Sequence, residues 1–195
     1  MSTPKPPETA SSVLLPRFER RPELLAPAGD LDALKAAIGA GADAVYFGLS
    51  DGFNARARAQ SFDAESLPDT FDLLHRHGVK GYVTFNTVVY DAELDKAVRA
   101  LRAIAAAGAD AIIVQDLGIA RLAHALAPTL PIHASTQMTV SSPEGAAIAK
   151  ELGVRRIVVP RELSVAEIAR FRKGTDLELE VFVHGALCVS WSGQC

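Results

Sequence analysis

The sequence is nearly free of cysteine: two thiols, Cys188 and Cys195, stand among 195 residues, and both fall in the last eight. A disulfide framework of the kind that staples small secreted domains is therefore excluded, and a thiol pair of this kind points instead to metal binding or redox chemistry. No apolar run approaches the roughly 18 residues that read as a membrane span. No charged segment followed by a long apolar stretch opens the chain as a secretory leader does. Excess charge is missing too. The net charge of −3 gives no gross attraction to nucleic acid, although it leaves room for a local basic patch. Also absent are a Gly-x-Ser-x-Gly elbow, a His-Glu-x-x-His helix, a Walker loop and a dinucleotide fingerprint.

What is present is an ordinary globular composition, 49% hydrophobic and 22% charged, over a length suited to one sizeable core rather than two domains. Residues 1–22 carry Pro4, Pro6, Pro7, Pro16 and Pro22 with Ser2, Ser11 and Ser12. That composition resists helix and sheet alike and reads as a disordered tail. Residues 23–195 read as the folded domain. With neither leader nor span, the cytoplasm is the expected location.

One pattern repeats along that domain. An amphipathic helix ends at a glycine, two residues follow, and a β-branched apolar run begins. The joints are Gly41-Ala42-Asp43, Gly78-Val79-Lys80, Gly108-Ala109-Asp110 and Gly153-Val154-Arg155. Glycine suits the left-handed position that closes many helices. The spacing predicts strands at roughly 23–26, 43–48, 80–86, 111–115, 131–135, 155–160 and 178–184, apolar throughout as in a sheet covered on both faces. Helices are predicted near 30–40, 64–77, 91–107, 116–127, 143–152 and 164–172. Ser142-Pro143 is a helix-start signal, and Ser164 with Glu167 matches a capping box.

Strands alternating with helices predict right-handed crossovers and a parallel sheet. The fold class expected is α/β, a parallel (β/α)8 TIM-barrel-like fold left incomplete at seven strands. A closed barrel takes an eighth unit and about 250 residues. The first and last strands are then expected to have open edges, which call for a second chain to complete the barrel.

In such a barrel the working face is the carboxyl end of the strands. Asp30, Asn54, Arg56, Arg58, Asn86, Thr87, Gln115, Asp116, His133, Ser135, Thr136, Gln137, Arg161, Glu162, His184 and Cys188 all follow strands there. Each also has a plainer reading. Asp30 and Asp116 suit helix caps, and Asn86 and Thr87 suit turns. Gln137 suits backbone satisfaction, and Arg161 with Glu162 suits a rim ion pair of little energetic value. Arg56 and Arg58 are either solvated loop charges or anion contacts. His75, His77 and His124 lie on helices or their ends and read as structural or solvent-facing. The run from His184 to Cys195 is less easily set aside: it combines a strand-end histidine, two thiols, Trp191 and glycines. Thiolates are soft ligands for zinc, Cu(I) or iron–sulfur clusters, but two cannot complete a four-ligand site; His184 is a candidate third ligand at a spacing that matches no standard zinc module, and two unligated thiols or an incidental disulfide is the plainer reading.

The ordered segments Glu23–Asp30, Ala40–Gly48, Val114–Gly118, His133–Gln137, Pro160–Ser164 and Val183–Cys195 together resemble the peptidase U32 (collagenase-like) family, over residues 23–195. The family name implies proteolysis. The resemblance also extends to relatives that hydroxylate a base in rRNA or tRNA by prephenate-linked chemistry, and to others that hydroxylate the ubiquinone ring. In those relatives four cysteines hold a [4Fe–4S] cluster. Cys188 and Cys195 match the first two, and the others would lie beyond residue 195, so the domain reads as C-terminally truncated.

The resemblance therefore implies an iron–sulfur-dependent RNA hydroxylase, with RNA as partner and prephenate as a candidate co-substrate. Cys188 and Cys195 are the implied cluster ligands. His184, Gln137, Asn86 and Arg161 are the substrate-side or cluster-side contacts expected from strand-end position. The alternatives are a protease using Cys188, Ser135 or Ser190, a ubiquinone-ring hydroxylation subunit, or an inactive fragment. A second chain completing the cluster is the corresponding partner expectation.

Overall fold

The computed structural model describes residues 21–50, 52–55, 62–185 and 190–194. Among them, seven parallel strands form one sheet whose order follows the chain. They are β1 (Leu25–Pro27), β2 (Ala44–Gly48), β3 (Lys80–Phe85), β4 (Ala111–Val114), β5 (Ile132–Ala134), β6 (Val154–Val158) and β7 (Glu178–Glu180). The intervening helices are α1 (Leu31–Gly39), α2 (Leu67–Arg76), α3 (Leu94–Ala106), α4 (Leu117–Leu126), α5 (Pro143–Glu151) and α6 (Val165–Lys173). This is the incomplete TIM-barrel-like α/β fold that the repeat predicts.

The repeat works as its glycines suggest. Gly41, Gly78, Gly108 and Gly153 have φ of 83°, 69°, 87° and 90°, a backbone that strains any residue with a Cβ. Each reverses the chain from a helix end into the next strand. At the other ends of the helices, side chains satisfy amide groups left open by the first turn. Asp30 Oδ1 accepts from Ala33 N at 2.8 Å, and Asp116 Oδ1 from Ile119 N at 3.0 Å. The Ser164–Glu167 capping box is formed. The segment predicted as a single helix from residue 91 opens as a 3-10 turn, Asp91–Glu93, before α3 begins. There Glu93 Oε2 accepts the Tyr90 amide at 3.0 Å, which tightens the entry.

The helices bury one stripe each. In α2 the stripe is Leu67, Thr70, Phe71 and Leu74, and in α3 it is Ala97, Ala100, Leu101 and Ile104. These meet the outward faces of the strands (Val45, Phe47, Val83, Phe85, Ile112, Ile132 and Ile157) in one continuous core. Burying each large side chain contributes about 1.5–3 kcal/mol.

The inward faces differ from expectation. An apolar layer of Ala44, Tyr82, Ala111 and Ile113 covers only part of the interior. The strands are not apolar throughout: β6 reads VRRIV and β7 reads ELE. Their charges meet inside the curved sheet. Glu23 Oε1 accepts from Tyr82 Oη at 2.7 Å and from Arg156 Nη1 at 2.6 Å, while its Oε2 accepts from Lys80 Nζ at 2.9 Å. Arg156 Nη2 lies 2.7 Å from Glu178 Oε2, and Nη1 lies 3.5 Å from Glu180 Oε2. His133, the register partner of Arg156, packs edge-on against the Tyr82 ring at 4.9 Å between centroids. Lys80 opens β3 and Glu23 precedes β1, so this network lies toward the amino-terminal end of the barrel, where polar groups stabilise rather than react.

The last strand is shorter than predicted. Its pairing with β6 runs from Glu178 to Glu180, with one further bond from Val159 N to Glu180 O at 2.8 Å.

Candidate functional site

At the carboxyl ends of the strands the described residues fall into two groups. The first joins β2 and β3. Asn54 is buried, and its Oδ1 accepts from Thr84 Oγ1 at 3.3 Å. A Cβ on Gly48 would stand 1.8 Å from Asn54 Nδ2, so only glycine leaves room for this amide. Asn86 is half-buried, and its Oδ1 accepts the Ala55 amide at 3.2 Å. The loop leaving β2 is thus strapped across the end of β3. Arg56 and Arg58, further along that loop, lie outside the described residues.

Asp116 joins neighbouring elements in the same way. Besides capping α4, it accepts the Val89 amide at 3.3 Å through Oδ2. The capping reading of Asp30 and Asp116 is therefore realised.

The second group joins β5, β6 and the segment after β7. Ser135 is buried, and its Oγ accepts the Gln137 amide at 3.2 Å, opening a 3-10 turn at Thr136–Met138. Gln137 is half-buried on that turn. Thr139 ends it at φ 55° and ψ 46°, the only left-handed non-glycine among the described residues. Thr139 Oγ1 donates to Ser192 O at 2.9 Å. Ser192 in turn donates twice to Glu162, from N to Oε1 at 2.5 Å and from Oγ to Oε2 at 3.0 Å. The Ser192 amide holds the Glu162 carboxyl below its ordinary pKa. Gly193, at φ 83°, sits so close that a Cβ would stand 2.3 Å from Thr139 Oγ1.

Arg161 stacks its guanidinium over the Phe182 ring at 4.2 Å. With the exposed His184 it lines a cleft of about 240 Å³ between α6 and the segment after β7. The structure thus brings Gln137, Arg161 and His184 to the β5–β7 side, while Asn86 stands at β3. Cys188 and Cys195 lie outside the described residues, and among the described residues no three His, Cys, Asp or Glu side chains converge as a metal site. A larger cleft, about 660 Å³, is lined by Asp30, Asp32, Asp63 and Asp69 with Arg76. Its carboxylates oppose a phosphate backbone.

Thr139 and the Glu162–Ser192 pairing carry no signal in the sequence. Glu162 reads there as a partner for its neighbour Arg161, whereas Ser192, thirty residues on, takes both of its oxygens. A glycine between two thiols was the one available hint.

Comparison with known proteins matches residues 29–195 to the model of peptidase family U32. The chain is 43% identical over 178 residues to the 23S rRNA 5-hydroxycytidine C2501 synthase of Escherichia coli (strain K12), covering 90% of this chain and 26% of that protein. It is 37% identical over 176 residues to tRNA hydroxylation protein P1 of Bacillus subtilis (strain 168), covering 90% and 42%. The chain therefore spans less than half the length of these curated relatives. The solved structure of the U32 peptidase Mk0906 matches with a TM-score of 0.69 at 17% identity, covering 88% of this chain and 73% of that one, a likeness of fold.

Proposed function

The chain belongs to peptidase family U32, and from that premise we propose that it forms the barrel portion of an enzyme that hydroxylates a base in ribosomal or transfer RNA. The observation that carries this reading is the match of 90% of the chain, at 43% identity, to a protein named for that chemistry on 23S rRNA. RNA as substrate makes the cytoplasm its place of work.

A [4Fe–4S] cluster would supply the electron transfer, and Cys188 and Cys195 are the thiols this chain would offer it. They are its only cysteines, half of a four-thiolate set. The chain alone does not fit the cluster. The chain's own residues have simpler tasks. The Asn86 and Gln137 amides offer donors and acceptors to a base edge. Arg161 and His184 suit a carboxylate co-substrate such as prephenate. Ser135 and Asp116 hold the turns that present these groups.

The protease reading receives less support. The hydroxyl of Ser135 accepts the Gln137 amide, the part of a turn former, and no bond from it to a histidine base is seen among the described residues.

The test is nucleoside mass spectrometry of rRNA and tRNA from cells lacking the full-length protein. The expected result is loss of one hydroxylated nucleoside, restored by the wild-type gene and not by Cys188→Ala. Unchanged RNA, with gelatin cleaved by the pure protein, would establish proteolysis instead.

A further inference from the structure

We propose that the free edges of β7 and β1 form an interaction surface for one β-strand from outside this chain, a strand with Lys or Arg on its inward face and apolar side chains on its outward face. The surface belongs to the fold and stands whether or not the protein hydroxylates RNA.

Among the described residues β1 pairs only with β2, and β7 only with β6. Glu180 O accepts from Val159 N, so the alternation of a parallel ladder turns the amide and carbonyl groups of Leu179 and Val181 away from β6. Such a row of open groups is a template for another strand. The two edges approach each other across the interior, because Arg156 on β6 reaches Glu23, just before β1, at 2.6 Å.

Side chains at these edges sort by face. Leu179 packs against the outer core, so its neighbours Glu178 and Glu180 point inward. On β1, Ala26 packs outward and Leu25 inward, which places Glu23 on the inward side. The exposed apolar residues have the opposite parity: Leu24 is 50% exposed and Val181 45%. A strand laid between the edges therefore meets apolar neighbours outside and carboxylates inside.

The inward side is short of one cation. Glu23, Glu178 and Glu180 share Arg156 and Lys80. The buried His133 nearby is neutral, its pKa pushed down to about 3 by burial and the Arg156 charge. Glu180 receives least: its Oε2 is buried without a hydrogen bond, 3.5 Å from Arg156 Nη1. Burial holds this carboxyl above its ordinary range, against the pull of Arg156. A basic side chain entering beside β7 supplies the missing donor. A second copy of the chain does not. Its own free edges carry Glu23, Glu178 and Glu180, and like charges side by side on paired strands repel.

The test is fluorescence anisotropy with fluorescein-labelled pentapeptides and the full chain at low ionic strength, where charge pairs are least screened. Val-Lys-Val-Lys-Val carries its lysines at the spacing of Glu178 and Glu180. It is expected to bind about tenfold tighter than Val-Ser-Val-Ser-Val, with Val-Glu-Val-Glu-Val the weakest. Glu178→Gln combined with Glu180→Gln is expected to abolish the preference for lysine. Asp32→Asn combined with Asp69→Asn removes as much charge from the acidic cleft beside α1 and α2, and is expected to preserve it. Should the glutamate double variant fail to fold, Glu178→Gln alone, at an exposed side chain, is read the same way. No binding of the lysine peptide, equal binding of the lysine and serine peptides, or a preference that survives the glutamate substitutions would overturn the proposal. So would protection of the Leu179 and Val181 amides from hydrogen exchange that rises with protein concentration in the absence of peptide, the result expected of a second copy on the edge.

Discussion

Arg156 Nη1 lies 2.6 Å from Glu23 Oε1, tying the sixth strand to the residue just before the first strands begin, across the interior of the sheet. Neither side chain is more than about a fifth exposed, at 13% and 21%. Removing one partner leaves a charge in a poorly solvated place. Arg156→Met is expected to cost about 2–4 kcal/mol, and Glu23→Gln less, because Gln still accepts from Tyr82. Urea unfolding of each variant checks the order. Equal stability of Arg156→Met and wild type would show that the pair is dispensable.

Acid should weaken the fold in two stages. Burial and then the Arg156 charge push His133 down to about 3 from 6.5. A histidine with a lowered folded value stabilises the native state above its unfolded value, and that contribution fades as pH falls from 6.5 toward 3. For Glu23, burial alone would raise the pKa, but hydrogen bonds from Lys80, Arg156 and Tyr82 outweigh it and carry the group to about 2. Its contribution is complete above 4.5 and fades toward 2. Stability measured against pH should fall first below 6.5, and His133→Leu should remove that first stage while leaving the second.

Gly81 on β3 faces α2 at a distance that excludes a methyl group. A Cβ there would meet Phe71 Cε1 at 2.5 Å and Leu74 Cδ1 at 2.8 Å. Gly81→Ala is expected to cost about 1–3 kcal/mol by overpacking. Thermal unfolding reads it directly, and a melting temperature at or above wild type would show that α2 can retreat.

Asp116 separates structural from catalytic roles. Its carboxylate holds the Ile119 and Val89 amides. Asp116→Ala is expected to lower stability by about 1–2 kcal/mol. If the proposed hydroxylase activity holds, it should fall in this variant only as far as the folded fraction falls. Loss of hydroxylation in protein that remains folded would give Asp116 a direct part in the chemistry.

The fold was legible because its signals are local and repeated. Gly41, Gly78, Gly108 and Gly153 each mark a helix end that any short window can read, and the caps at Ser142 and Ser164 are equally near their helices. The inward charges of β6 and β7 carry no such local signal, because Arg156 and Glu178 acquire meaning only when the sheet curves to face Glu23. The site was partly legible for the same reason. Strand-end position locates Asn86, Gln137, Arg161 and His184, since chain order fixes it. What those residues touch depends on loops that return from far along the sequence. Glu162 and Ser192 are thirty residues apart, and no local pattern announces that they meet.

The sheet order, in which every strand lies beside its neighbour in the chain, bears on how the protein comes into being. Each new strand finds its partner already in place, so pairing proceeds with short loop closures as synthesis advances from the amino terminus. The bond between Glu23 and Arg156 breaks that rule by spanning 133 residues. Until Arg156 has been made, Glu23 waits with only Lys80 and Tyr82, and the arrival of β6 is the event that fastens the two sides of the nascent sheet together.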